Sequence, residues 1–257
     1  MGKLTADNPI TGVTDTLTVA LADPVEMKLL HMITADPKRT PTLTLFADPD
    51  YFLFAGAPNC NAPCVALPPS TGSVFAWNHG DNSPEIAQTW AGFVGPGVRN
   101  LGQDDRIWSD HTDLRPTILT LAGLRDRYVH DGRLLVEILH PGAIPPSVRQ
   151  HKTVFTRLAK LYKQINAPFG ALGRDSLVVA TEALKSTSPD DSTYTSLSDL
   201  IAAWTAQRDG LAAQIKALLD AATFERERLP EGEAQRLADE ARDLLAVVKG
   251  ARRQVAP

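Results

Sequence analysis

Residues 75–98, FAWNHGDNSPEIAQTWAGFVGPGV, hold the densest set of side chains able to do chemistry. His79 follows a short apolar run and precedes Gly80, as a residue at the C-terminal end of a strand does. In α/β sheets that edge is where ligands bind. An imidazole there can hold a metal ion through one nitrogen while a carboxylate orients the other, and Asp81 or Glu85 is near enough in sequence for that task. Taken alone, one His-Gly pair is more economically read as a hydrogen-bonded turn.

Asp110-His111 is a second dipeptide with metal-binding chemistry, but it precedes Asp113-Leu114-Arg115-Pro116, which reads as a helix start. Capping or bracing that helix is the simpler role for Asp110 and His111, with coordination second. Asp113 also reads as a cap. Of the remaining histidines, His31 reads as half-buried in a helix. His130 and His140 fall in turns, and His151 reads as a solvated residue opening a helix. Cys60 and Cys64, in CNAPC, are the only cysteines. One C-x3-C cannot complete a tetrahedral zinc site. It leaves two loop thiols or a small-loop disulfide equally open.

Positioning these groups needs strands and helices in alternation. Leu17, Val19 and Leu21 alternate as in half a strand. TLTLFA (42–47) and YFLF (51–54) flank the turn-like Asp48-Pro49-Asp50, and SVFAW (73–77) and TWAGFVG (89–95) are further short apolar runs. Val25, Leu29 and Ile33 predict one helix face, and Asp113, Pro116 and Gly123 mark the start and stop of another. The expected class is α/β over 1–145: part of an α/β/α sandwich with a mixed or parallel sheet. Beyond Pro145-Pro146 the pattern becomes helical throughout, predicting an all-α tail over 146–257. Its stripes run through Val154, Leu158, Leu161, Tyr162 and Ile165; through Leu177 to Leu184; through Leu197 to Leu218; and through Leu237, Ala241, Leu244 and Val248. Gly210 interrupts the third.

Composition narrows the partners. The chain has 257 residues, 43% hydrophobic and 22% charged, with a net charge of -4, which gives no electrostatic reason to expect nucleic acid. No apolar run approaches the roughly 20 residues that span a bilayer. The first residues lack the basic and apolar regions of a signal peptide and read like the middle of a folded segment.

His79-Gly80, the helix-like EIAQT and the strand-like WAGFVGPGV together resemble a late segment of the alkaline phosphatase superfamily. The nucleotide pyrophosphatase/phosphodiesterase and phosphoesterase branches, of actinobacterial type, are the most similar. HTDLRPTILTLAGL (111–124) followed by DGRLL (131–135) resembles the Asp-Leu-x-Pro-Thr helix and the Asp-Gly-x-x-Leu element of the same superfamily. The upstream DPKRTPTLTLFADPDYFLF resembles the strand region before the histidine. The likeness covers about residues 23–139.

The resemblance implies a hydrolase acting on a phosphoester small molecule with divalent metal, zinc above all. His79 would be the last ligand of a two-metal site, with Asn78 or Asp81 orienting it or touching the substrate. It also implies a Ser or Thr nucleophile and paired Asp-His ligands upstream, and none can be placed on this chain. Asn78 stands where the family's Asp-His-Gly has Asp. The chain is therefore expected to be the C-terminal part of such an enzyme, inactive alone. Its relatives would be extracellular or envelope proteins. The alternative is a non-catalytic remnant or helical interaction module.

Overall fold

The computed structural model describes residues 5–53, 64–65, 81–183 and 189–255. They belong to two compact units. The first comprises residues 1–90, 174–202 and 252–257, the second residues 91–173 and 203–251. The division does not follow the change of composition near Pro145-Pro146.

In the first unit, β1 (Thr5–Asp7) pairs antiparallel with β2 (Thr14–Thr16), and β3 (Thr18–Ala22) pairs antiparallel with β4 (Thr44–Ala47). Only antiparallel pairs occur among the described residues, in two two-stranded sheets, which departs from the mixed or parallel sheet expected. The physical reason is local. Residues 51–53 and 89–95 belong to no strand, while β3 finds its partner in the run 42–47; residues 73–77 lie outside the described residues. The Asp48-Pro49-Asp50 turn is present, with the Tyr51 amide donating to the Asp48 carbonyl at 2.9 Å. β3 buries Thr18, Ala20 and Ala22 fully and leaves Val19 and Leu21 only half-buried, the reverse of the face its larger residues suggest.

Helix α1 (Pro24–Leu29) begins with a capping box. Asp23 accepts from the Val25 amide at 2.8 Å, and Glu26 reaches back to the Asp23 amide at 3.1 Å. It ends earlier than the 23–33 pattern predicts. The His31 amide donates to the Lys28 carbonyl and the Met32 amide to the Met27 carbonyl, which is the Schellman arrangement. His31 takes the left-handed position at φ 56. It is therefore exposed rather than half-buried in a helix. Ala20, Ala22, Met27, Leu30 and Phe46 make this unit's core with Leu177. Helix α2 (Pro84–Ala87) is a single turn.

In the second unit, a 3-10 turn (His111–Asp113) runs into α3 (Leu114–Leu121). Gly123, at φ 70, closes α3 through a second Schellman arrangement, Gly123 amide to Thr120 carbonyl and Leu124 amide to Leu119 carbonyl. The chain then passes through α4 (Pro146–Gln150) and α5 (Lys152–Asn166). Three further helices contribute to both units: α6 (Ala171–Ala183), α7 (Ser192–Asp220) and α8 (Glu231–Val255). Together α5 to α8 form the helical tail expected from the periodicity.

α5 buries Phe155, Leu158, Ala159, Tyr162 and Ile165, and Lys163 and Asn166 with them. α7 closes in a π turn (Ala221–Glu225), and Ser147 donates to the Ala222 carbonyl at 2.6 Å. α8 returns along α7, where Arg236 donates to Gln214. It also meets α5 through Arg157 and Gln235, 3.0 Å apart. His151, read as solvated, is only 10% exposed and stands 2.6 Å from Glu231.

Candidate functional site

The most elaborate polar cluster is in the second unit and is built on the 3-10 turn. Asp110 caps that turn, accepting from the Thr112 amide at 3.0 Å and the Thr112 hydroxyl at 2.5 Å. Asp113 completes the box by accepting from the Asp110 amide at 3.2 Å. Capping thus falls to Asp110, one turn earlier than the reading of Asp113 as N-cap, and Asp113 is freed to point inward. It is fully buried, and its other oxygen accepts from the Arg133 amide at 2.8 Å. One helical turn on, the Thr117 hydroxyl accepts from the Leu135 amide at 3.1 Å.

These two bonds join residues 111–124 to residues 131–135, and a glycine makes the approach possible. A Cβ on Gly132 would sit 2.0 Å from the Thr112 carbonyl oxygen and 2.6 Å from its carbon. Only a residue without one can pass there.

Lys163 enters from α5. Its ammonium is 2.8 Å from Asp110 and 3.3 Å from Asp113, and it donates to the Thr112 hydroxyl at 3.0 Å and the Asp131 carbonyl at 3.1 Å. Its three protons all have acceptors within the cluster, so none is left to bind a substrate. Asn166, one turn further along α5, donates to Asp131 and to the Tyr162 hydroxyl, each at 3.1 Å. Burial, with Asp131 next, holds the Tyr162 hydroxyl above the ordinary phenol range. Arg133, also buried, donates to Glu137 at 2.8 Å and to the Trp108 carbonyl at 3.0 Å. Burial pushes the Asp113 carboxyl up from its ordinary value, against the pull of Lys163 and Arg133.

A ring of paired charges on this pattern braces a fold; its groups are committed to one another rather than open to a ligand. Asp110 in particular has its oxygens engaged by Thr112 and Lys163, while His111 is exposed. The two therefore do not fit a metal ion as neighbouring ligands. Among the described residues no group of three or more His, Cys, Asp or Glu side chains is arranged to hold one. No protein-family model, curated protein or solved structure matches the chain.

The other candidates fall apart in space or outside the described residues. His79 and Asn78 lie outside them. Asp81 accepts from the Ser83 amide at 2.8 Å, an Asx turn leading into α2, and Glu85 is exposed on that helix. Cys64 is disulfide-bonded, and the chain's one other cysteine, Cys60, lies outside the described residues. His130 accepts from the Gly132 amide at 3.1 Å through Nδ1, which leaves its proton on Nε2, 3.4 Å from Asp126. Asp126 is held by a two-pronged pair with Arg115, at 2.7 and 3.0 Å, and that pair takes its carboxyl down to about 2.

Lys163 and Arg133 were the residues least visible in the sequence. Lys163 falls on the same helix face as Ala159 and Tyr162, and a charge inside an apolar stripe is the signal that marks it.

Proposed function

We propose that the chain is a segment of a metal-dependent phosphoester hydrolase of alkaline phosphatase type. In this reading residues 1–145 are the C-terminal part of its α/β/α sandwich, and residues 146–257 its helical tail. The supporting observation is that two of the stretches that carry the resemblance, 111–124 and 131–135, dock on each other. Asp113 takes the Arg133 amide, Thr117 takes the Leu135 amide, and Gly132 leaves the room. Motif residues that bond to each other across 20 positions have a shared reason to occur together. His79 is the metal ligand of this proposal, zinc the preferred ion, and Asn78 and Asp81 its neighbours. The substrate is a phosphoester small molecule. The nucleophile and the other ligands must come from residues other than those of this chain.

Recovery of the native protein with an antibody to residues 231–255 tests the proposal. Bound zinc and hydrolysis of bis(p-nitrophenyl) phosphate are measured with and without chelator. Chelator-sensitive hydrolysis, with both signals reduced by His79→Ala, is the expected result. A native protein with neither metal nor hydrolysis overturns it.

A second reading, a non-catalytic interaction module, has one observation in its favour. The loop after α3 exposes Leu124, Tyr128 and Val129 beside Arg125 and Arg127. Exposed apolar residues gathered in one loop are a feature of contact surfaces. A metal-free protein that is monodisperse and melts cooperatively would favour this reading.

A further inference from the structure

Two carboxyls in the first unit face each other with no cation between them. Asp23 is 9% exposed and Glu26 4%, and both belong to the capping box of α1. Among the described residues neither forms an ion pair with Lys, Arg or His. The third member is Tyr194, near the start of α7, whose hydroxyl donates to Asp23. These three surround a small cleft with Leu21 from β3, Ala180 and Ala183 from α6, and Leu197 and Ser198 from α7. Of the elements lining the cleft, α6 offers two alanines and no titratable side chain, and α7 offers Tyr194 and the Ser198 hydroxyl.

Two buried carboxylates at hydrogen-bonding range cannot both stay ionised without a counter-charge. One proton between them turns repulsion into a hydrogen bond. It leaves Asp23 as the anion, which suits a residue accepting from the Val25 amide and the Tyr194 hydroxyl.

We propose that Asp23, Glu26 and Tyr194 form a proton-held latch, closed while the two carboxyls share one proton and opened when that proton is lost to solvent. The latch ties the start of α7 to the start of α1, two segments about 170 residues apart in the chain. Opening loosens both: the anionic Glu26 is driven from Asp23, the reciprocal half of the capping box is lost, and Asp23, still an acceptor but no longer held by that cap, ceases to fix Tyr194 in place. Burial, then the neighbouring Asp23, moves the Glu26 carboxyl up to about 8. Burial alone would raise Asp23 as well, but hydrogen bonds from Glu26, Tyr194 and the Val25 amide outweigh it and hold Asp23 below its ordinary value. The latch therefore works just above neutrality.

The test is a pH titration of the full chain by NMR, following the Glu26 side-chain carboxyl carbon and the backbone amides of Asp23, Val25 and Tyr194. In the wild type all four signals should move together with one midpoint near pH 8. Glu26→Gln, which keeps an acceptor for the Asp23 amide and a permanent donor to its carboxylate, should remove the amide transitions. Tyr194→Phe should leave the Glu26 titration in place and abolish the transition at residue 194. A Glu26 carboxyl titrating in the ordinary glutamate range would overturn the latch. So would amide transitions that persist unchanged in Glu26→Gln. The wild-type carboxyl titration decides the matter even if a variant does not fold.

Discussion

Lys163 and Asp113 stand 3.3 Å apart, ammonium nitrogen to carboxylate oxygen, with 1% and 0% of their side chains exposed. An ion pair this deep costs desolvation on both sides, so its intact form is not a large source of stability. Breaking it is another matter. Lys163→Met leaves the buried Asp113 without its paired ammonium, with only the weaker pull of Arg133, strips a partner from Asp110, and should cost about 3–5 kcal/mol. Adding Asp113→Asn to that variant removes the stranded charge and should recover part of the loss. Urea unfolding of the four proteins of this cycle measures both. A shift in midpoint at constant slope is the expected form.

Two glycines should answer the same substitution with opposite signs. Gly132→Ala drives a methyl into the Thr112 carbonyl, where backbone and not a flexible side chain must move. It should lose about 3 kcal/mol or more, at the upper end of overpacking costs. Gly210 lies exposed within α7, and nothing is within 4 Å of where its Cβ would be. Gly210→Ala should therefore gain about 0.5–1 kcal/mol from helix propensity. Thermal melts read both, and a stabilised Gly132→Ala would contradict the close approach.

The helices were legible in the sequence because their information is local. Val154 to Ile165, Leu197 to Leu218 and Leu237 to Val248 repeat at helical spacing, and Gly123 and Pro230 mark ends that propensity alone would place. The strands were less legible. A run such as TWAGFVG carries apolar residues in any extended segment, and whether it finds a partner depends on distant chain. The brace around Asp113 was half visible. The Asp113–Thr117 and Asp131–Leu135 blocks stand out as motifs, yet nothing within them says that Lys163 will close the circuit. That contact spans 50 positions and is set by how α5 packs. Asp23 and Glu26 are inconspicuous in the sequence for the same reason: a capping box is a local pattern, and only the arrival of Tyr194 makes it unusual.

His130 gives a pH dependence whose sign follows from its hydrogen bonds. Nδ1 accepts from the Gly132 amide, so a second ring proton would destroy that bond. Burial first, then the charge of Lys216, lowers its affinity for that proton. A histidine whose folded value lies below its unfolded value contributes stability that is present above about pH 6.5 and is lost as pH falls from there through the lower, folded value. The melting temperature should therefore begin to drop as pH falls below about 6.5, well before Asp126 begins to protonate. His130→Asn, which keeps an acceptor for Gly132, should flatten that portion of the curve. An unchanged slope in the variant would assign the acid sensitivity to other groups.

Asp110 and His111 separate a capping role from a coordinating one. If the pair is a cap, the two positions are unequal. Asp110→Ala removes the acceptor of the Thr112 amide and a partner of Lys163, and should cost about 1–2 kcal/mol, in the range of lost N-caps. His111→Ala, at an exposed position, should stay within about 0.5 kcal/mol of the parent. Neither should change the amount of zinc retained after dialysis. Two neighbouring ligands would behave otherwise: both variants would lose metal, and added zinc would raise the melting temperature of the parent but not of either variant. The inequality in stability, paired with equality in metal content, is the outcome that the hydrogen bonds of the 3-10 turn require.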